Sequence, residues 1–171
     1  AAEALQGKNV LTFSAKEENY KGVAASAVLA YGQKVGAESS VDINLAKQLN
    51  VLISQVGVDM GNIVMNVGTA TAGYGFEYVV STLDRIKAAA LGQDDAQLQM
   101  PIMTSVGDET WGVKESMASE ADVPAWGPVD ARGVNMEVTT AMAVLASGSN
   151  AVILKHPTSV ATVSKLIKEL M

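Results

Sequence analysis

Five short runs of aliphatic and β-branched residues recur along the chain, and each precedes a segment with helical spacing. Within each run the apolar residues are nearly continuous rather than alternating, which is typical of parallel strands buried on both faces. This pattern predicts five strand–helix units whose strands pair in parallel and in sequential order. The predicted strands are Asn9–Ser14, Lys34–Ser39, Asn62–Val67, Pro101–Val106 and Ala151–Lys155.

Residues typical of helix ends mark out the helices between these strands. Asp42 is a predicted N-cap, Gly57 and Gly92 follow the ends of two apolar stripes, and Pro157 suits the first turn of the last helix. The predicted helices are Tyr20–Tyr31, the segment from Asp42 to Gly57, Glu77–Leu91, Val134–Ser147 and one that begins at Pro157. Their predicted inward residues include Leu45, Leu49, Leu52 and Val56, then Val79, Leu83, Ile86 and Ala90, and finally Val160, Val163, Ile167 and Leu170.

Two architectures agree with five βα units. The opening residues Ala1–Gln6 resemble the tail of a preceding helix, and closing a (β/α) barrel takes eight units and about 250 residues. We therefore expect one α/β domain over residues 1–171, built as the C-terminal five βα units of an eightfold (β/α) TIM-type barrel. An independent doubly wound sheet is the alternative, and it would require the strand order to reverse midway.

Charge and hydropathy exclude two classes of partner. The formal net charge is −6 and the 12 Lys and Arg residues form no cluster, so the basic surface that binds a phosphate backbone is missing and we expect no nucleic-acid partner. No apolar stretch approaches the roughly 18 residues that span a bilayer, and the first residues lack the features of a signal peptide. We therefore expect no membrane partner and a cytoplasmic location.

Residue counts also limit the chemistry. The sequence contains no cysteine, which rules out thiolate nucleophiles and iron–sulfur ligation by this chain. His156 is the single histidine, so a metal site or His-based catalysis within the chain is not expected. Any metal or redox chemistry would have to come from another chain.

In parallel α/β folds, ligands bind beyond the carboxyl ends of the strands. The segment Gly68–Gly75 follows the third predicted strand and is rich in glycine and small residues, so a ligand could approach its backbone closely. Its glycine spacing does not match a phosphate-binding motif, and a sharp βα turn is the competing interpretation. Glu38 and Asp108 could form an acid/base pair at these strand ends, although pairing with Lys16 and Lys155 is favoured.

One long segment does not fit the repeat. Glu115–Gly133 is acidic and contains two prolines and Trp126. Long irregular segments in compact domains are often functional, so it is a candidate lid or partner-docking loop. A surface excursion with Trp126 packed on the outer helices is the alternative.

Specific phrases support a family resemblance. They are Gly73-Tyr74-Gly75-Phe76-Glu77-Tyr78, Pro124-Ala125-Trp126-Gly127-Pro128 and Lys155-His156-Pro157. Together with further colinear matches along almost the whole chain, they resemble the C-terminal part of the small subunit of the corrinoid iron–sulfur protein. The archaeal counterpart of that subunit is the delta subunit of the acetyl-CoA decarbonylase/synthase complex.

The resemblance implies a role in methyl transfer in the anaerobic acetyl-CoA pathway. The small subunit would cover a cobalamin shared with a large corrinoid iron–sulfur subunit, which alone would hold the iron–sulfur cluster. The methyl group would come from methyltetrahydrofolate through a methyltransferase and pass to acetyl-CoA synthase, with no catalytic side chain in this chain. A stand-alone pterin-binding methyltransferase barrel, with Asn66 bound to the pterin, is the alternative. The expected cofactor-binding residues are Ser39, Asn66, Thr69, Thr71, Gly73, Tyr74, Asp108 and His156.

Overall fold

Each strand is followed by one or more helices in residues 2–170, the part of the chain that the computed structural model describes. The strands are β1 (Leu11–Ala15), β2 (Lys34–Glu38), β3 (Ile63–Asn66), β4 (Met103–Thr104) and β5 (Ala151–Val152). The α-helices are α1 (Tyr20–Val23), α2 (Ile43–Gln55), α3 (Phe76–Lys87), α4 (Val106–Thr110), α5 (Lys114–Met117), α6 (Val129–Ala146) and α7 (Pro157–Leu170). Wider π-helical turns extend α1 over Ala24–Leu29 and α3 over Ala88–Gly92.

The strands form two small parallel sheets. The first has the order β1-β2-β3 and the second pairs β4 with β5. In the first sheet, Val35 of β2 lies opposite Ile63 of β3 and Glu38 lies opposite Asn66. A single parallel bridge between Met65 and Ile102 connects the two sheets. The carboxyl ends of the strands therefore meet on one side of the molecule.

The prediction of an eightfold TIM-type barrel is wrong. Residues 2–170 form an open three-stranded sheet and an open two-stranded sheet, and no closed barrel is present among them. Closure requires a continuous ladder of tilted strands, whereas β4 and β5 pair over only two residues each. The strand order does not reverse in either sheet, so the doubly wound alternative is not observed either.

The last two strands are shorter than predicted because side chains replace the ladder bonds. Asn150 Oδ1 accepts a hydrogen bond from the backbone N–H of Ile102 at 2.9 Å, just before β4. The backbone N–H of Lys155 donates to a side chain of α6 instead of a neighbouring strand. The predicted range Pro101–Val106 therefore contracts to Met103–Thr104, and Ala151–Lys155 contracts to Ala151–Val152.

The signals for α2 and α3 are confirmed in part. Asp42 caps α2 by accepting from the backbone N–H groups of Asn44 and Leu45 at 2.8 and 3.3 Å. Of the predicted stripe, Leu49 is buried and Leu45 and Val56 pack partly buried against the core, while the fully buried face is Ala46, Leu49, Asn50 and Ile53. The buried Asn50 amide donates to Gln97 O at 2.8 Å. In α3 and its π-turn the predicted residues Val79, Leu83, Ile86 and Ala90 are all buried.

At both ends of the chain the structure differs from the prediction. At the start, Glu3–Leu5 form one 3-10 turn rather than the end of an α-helix, and the part of that prediction that falls on Ala1 lies outside the described residues. In α7 the predicted inward face is mostly exposed: Val163 is buried, but Val160, Ile167 and Leu170 are not. The helix packs chiefly against α6, and β5, the strand before it, is an edge of the open β4-β5 sheet. Within residues 2–170 no helix has the length and apolar character needed to cross a membrane.

Candidate functional site

A cleft of about 260 Å³ opens at the carboxyl ends of β1 to β4, and we call it the strand-end cleft. Its position is the one that parallel α/β folds use for ligands. Three of the predicted site residues, Asn66, Thr69 and Asp108, share this cleft. Its lining consists of Phe13, Ser14, Glu38, Asn66, Gly68, Thr69, Ser105, Asp108 and Glu109.

Two carboxylates of the cleft are paired with lysines. Lys16 Nζ lies 3.3 Å from Glu38 Oε1, and Lys155 Nζ lies 2.8 Å from Asp108 Oδ1. The favoured interpretation of these carboxylates is therefore confirmed. Each lysine partly offsets its carboxylate, so Glu38 and Asp108 are not two unpaired acids. Glu109, the third carboxylate of the lining, forms no ion pair among residues 2–170.

Asn66 ends β3 and organises the turn that follows. Its Oδ1 accepts a hydrogen bond from the backbone N–H of Gly68 at 3.2 Å, and its carbonyl accepts from the N–H of Ser39 at 3.0 Å. Gly68 adopts φ +73°, and a side chain there would meet the backbone of Ser40 at 3.4 Å. Further along the loop, the backbone N–H of Ala72 donates to Thr140 Oγ1 of α6 at 3.1 Å. The turn is thus fixed at both ends.

Two predicted site residues point into the protein. The side chains of Ser39 and Thr71 are buried, and neither hydroxyl has a hydrogen-bond partner among residues 2–170. Neither residue lines the strand-end cleft. Direct contact of either side chain with a ligand on the surface is therefore not available in this conformation.

Gly73 and Tyr74 lie outside the cleft, on the exposed part of the loop. The Tyr74 hydroxyl donates to the carboxylate of Glu115 on α5. This hydrogen bond raises the pKa of Tyr74 and lowers the pKa of Glu115. Gly73 has open space around its Cα, but its φ of +92° disfavours any side chain. A substitution at Gly73 would therefore strain the backbone whether or not a ligand binds there.

His156 lines a second cleft, of about 380 Å³, together with Trp111, Met117 and Lys155. We call it the indole cleft. The rings of Trp111 and His156 stack with centroids 5.7 Å apart and planes 23° apart. His156 Nδ1 accepts a hydrogen bond from the backbone N–H of Thr158 at 3.2 Å, in the first turn of α7. The ion pair between Lys155 and Asp108 connects this cleft to the strand-end cleft.

Glu137 is a residue that the sequence interpretation missed. Its side chain is fully buried in α6 and accepts hydrogen bonds from the backbone N–H groups of Lys155, at 2.5 Å, and His156, at 3.2 Å. The available signal was its spacing, because Glu137 lies four residues from Gly133 and four from Ala141, both of which face the core. A charged residue within a buried stripe needs a partner, and here the partners are the two amides before α7.

Arg132 was also missed, and it determines the shape of the acidic segment. Its guanidinium donates to the carbonyls of Glu115, Ala118 and Gly127 at 2.5, 2.6 and 3.2 Å and lies 5.8 Å from the centroid of the Trp126 ring. The segment predicted as a long loop therefore folds as α5, a 3-10 turn and the first turns of α6, which begins at Val129 rather than Val134. Trp126 remains 42% exposed beside a cavity of about 430 Å³.

The predicted site residues thus fall into three groups. Asn66, Thr69 and Asp108 share the strand-end cleft, His156 lines the indole cleft beside it, and the others are buried or lie on the exposed loop. Among residues 2–170 no three His, Cys, Asp or Glu residues are grouped closely enough to hold a metal ion.

The chain matches known proteins along almost its whole length. A family model described as the CO dehydrogenase/acetyl-CoA synthase delta subunit matches residues 1–165. Subunit delta 1 of the acetyl-CoA decarbonylase/synthase complex of Methanosarcina thermophila is 33% identical over 177 residues, covering 99% of this chain and 39% of that subunit. The delta subunits of Archaeoglobus fulgidus and Methanothermobacter thermautotrophicus are 31% and 34% identical, again over 99% of this chain and over 38% and 41% of their own lengths.

The chain spans about two-fifths of the length of the curated relatives that it matches. The predicted resemblance to the delta subunit is confirmed, since both the family model and these relatives cover nearly all of the sequence. The chain belongs to the CO dehydrogenase/acetyl-CoA synthase delta subunit family.

Proposed function

We propose that this chain works in an acetyl-CoA decarbonylase/synthase complex as a non-catalytic part that covers a corrinoid carried mainly by a larger subunit. In this role it takes part in passing a methyl group from methyltetrahydrofolate, through a methyltransferase, to acetyl-CoA synthase. Membership in the delta subunit family supports the assignment to such a complex. The iron–sulfur cluster belongs to the larger subunit in this proposal, because the sequence here has no cysteine.

The observation that carries the proposal is the make-up of the strand-end cleft. It offers the amide of Asn66, the hydroxyl of Thr69, the backbone of Gly68 and a lysine-paired Asp108. The lining also holds two further carboxylates, Glu109 and the lysine-paired Glu38. Hydrogen-bond donors and acceptors of this kind suit the amide side chains at the edge of a corrin ring. The cleft would cover one side of the ring rather than enclose it. Its volume of about 260 Å³ is smaller than the roughly 300–1,000 Å³ of sites that enclose a small molecule.

Each group in this chain then has a positioning task. Asn66 and Thr69 would bind amide groups of the corrinoid, and the ion pair of Asp108 with Lys155 would hold the neighbouring strand ends in place. When bound, the corrinoid supplies a cobalt that accepts and releases the methyl group. The chain itself orients the ring, excludes water from one side of it and presents a docking surface.

A binding experiment with the larger subunit tests the proposal. The corrinoid-loaded larger subunit is titrated with the wild-type chain and with Thr69→Trp, whose indole would fill the cleft. Ser81→Trp is the matched control, because Ser81 is an exposed small hydroxyl residue on α3, outside the strand-end cleft. We expect a change in the visible spectrum of the corrinoid with the wild type and Ser81→Trp, and a weaker change with Thr69→Trp.

Two outcomes would contradict the proposal. An unchanged corrinoid spectrum at saturating wild-type chain would show that the chain does not cover the ring. Binding of methyltetrahydrofolate by the chain alone, measured by calorimetry, would instead favour the pterin-binding methyltransferase alternative.

A further inference from the structure

Glu137 is a buried acidic residue that forms no ion pair among residues 2–170. None of the described lysines, arginines or His156 forms an ion pair with it, and its carboxylate is fully buried. Burying a carboxylate is costly unless hydrogen bonds compensate it. Here the compensation comes from two consecutive backbone amides, those of Lys155 and His156.

The surroundings of this carboxylate leave it little freedom. A Cβ atom at Gly107 of α4 would lie 3.0 Å from Glu137 Oε1 and 2.8 Å from the backbone nitrogen of Lys155. Gly107 therefore allows α4, α6 and the segment before α7 to meet at one point. The Gly107 backbone N–H also donates to the carbonyl of Ile153 at 2.9 Å, which holds the same segment from the other side.

We infer that Glu137 is a positioning residue that fixes Lys155 and His156, so that His156 offers its Nε2–H group to a carbonyl oxygen of the bound ligand. The inference deepens the proposed function and rests on it, because that ligand is taken to be the corrinoid and the carbonyl one of its amide side chains. Glu137 itself is buried and touches no ligand.

The tautomer of His156 follows from its contacts. The backbone N–H of Thr158 donates to Nδ1, so in the neutral ring Nδ1 carries no proton and Nε2 does. Nε2 has no hydrogen-bond partner among residues 2–170. The stack on Trp111 restricts rotation of the ring, and Glu137 holds the backbone from which the ring extends. The result, in the neutral ring, is one donor with a fixed direction in the indole cleft.

The experiment uses Glu137→Gln, which keeps the volume and replaces one acceptor oxygen with an NH₂ group. That group would face a backbone N–H, so one of the two hydrogen bonds is lost. Asp130→Asn is the matched control, because Asp130 is an exposed acidic residue on the same helix. Because His156 is the only histidine, ¹⁵N spectroscopy of the imidazole reports its tautomer without ambiguity.

We expect the wild type and Asp130→Asn to show the Nε2–H tautomer, with slow exchange of the amides of Lys155 and His156. In Glu137→Gln the two ring nitrogen shifts should move toward each other as the tautomers mix, and both amides should exchange faster. The dissociation constant of the corrinoid-loaded complex should rise about tenfold, the equivalent of one neutral hydrogen bond at the upper end of its usual range.

Each other outcome has a definite meaning. Rapid amide exchange at Lys155 and His156 in the wild type would overturn the inference without any variant, even if Glu137→Gln fails to fold. Ring shifts unchanged by Glu137→Gln, or changed shifts with unaltered corrinoid affinity, would also overturn it. If the shifts change as expected but the wild-type complex binds no corrinoid, the proposed function fails while the positioning of His156 by Glu137 stands.

Discussion

The β1-β2-β3 sheet and the β4-β5 sheet share one apolar core but differ in how far their strands pair. Strands of four or five residues pair along the first sheet, and apolar side chains such as Leu49 and Ile63 fill its core. The second sheet pairs over two residues per strand. Buried hydrogen bonds complete it, among them those of Thr104 with Ser149 and of Glu137 with the start of α7.

This difference bears on how each cleft is built. In the first sheet, the strand-end cleft follows from where the paired strands stop. In the second, the indole cleft depends on individual side chains that hold distant segments together. Substitutions of apolar residues should therefore affect mainly the stability of the molecule, whereas polar substitutions near α6 should affect the geometry of one cleft.

The largest effect is expected for Leu49→Ala in α2, next to the first sheet. Leu49 is fully buried, so the variant loses apolar burial and leaves a cavity. Together these should lower the free energy of unfolding by about 2–5 kcal/mol. Leu91→Ala is the control, since Leu91 is 82% exposed and should change stability by less than about 0.5 kcal/mol. Denaturant unfolding followed by circular dichroism measures both. Equal losses for the two variants would contradict the apolar account of this sheet.

A second prediction concerns Gly133, where α6 packs on Trp111. A Cβ at Gly133 would lie 2.3 Å from the Trp111 ring, so Gly133→Ala should destabilise the protein by about 1–3 kcal/mol despite the better helix propensity of alanine. Gly22→Ala in α1 is the matched control, because a Cβ there meets nothing within 4 Å. It should stabilise the protein by about 0.5–1 kcal/mol. Thermal unfolding gives both values, and a gain of stability at Gly133 would contradict the packing described.

A third prediction concerns the acidic segment, which Arg132 holds through three carbonyls. Lysine keeps the charge but lacks the planar fork of donors. Arg132→Lys should therefore cost about 1.5 kcal/mol, the lower end for charged hydrogen bonds, because the side chain is half-buried. Hydrogen exchange should increase in residues 115–127 and remain unchanged in β1 to β3. Arg85→Lys, on the exposed face of α3, is the control and should leave exchange in both regions unchanged.

The same contrast explains which features were predictable from the sequence. Local spacing indicated the ends of α2 and the buried face of α3, because each of these features involves residues of a single helix. The residues are Asp42 and Gly57 for α2, and Val79, Leu83 and Ile86 for α3. The bond between Glu137 and Lys155 joins residues 18 positions apart, and local spacing carries no trace of such a partner. Barrel closure was predicted wrongly because closure depends on ladder length, which the side chain of Asn150 interrupts.

The smallest effect is expected for Tyr74→Phe, which tests the hydrogen bond between the glycine-rich loop and α5. The hydrogen bond to Glu115 lowers the pKa of the Glu115 carboxyl, so its stabilisation is present at neutral pH and is lost as the pH falls through that lowered value. The same bond raises the pKa of the Tyr74 hydroxyl, so the stabilisation is also lost as the pH rises through that raised value. Between these limits the loop and α5 should stay joined.

Absorbance at the tyrosinate band gives the measurement. In the wild type, one of the four tyrosines should titrate above its ordinary range, and that step should be missing in Tyr74→Phe. Tyr78→Phe is the matched control, because Tyr78 is an exposed neighbour in α3, and it should retain the late step. Because the bond lies at the surface, between the exposed Tyr74 and the half-buried Glu115, Tyr74→Phe should leave global stability nearly unchanged and increase amide exchange only around Gly73–Gly75. A late step that persists in Tyr74→Phe would show that the loop and α5 are not joined through this hydroxyl.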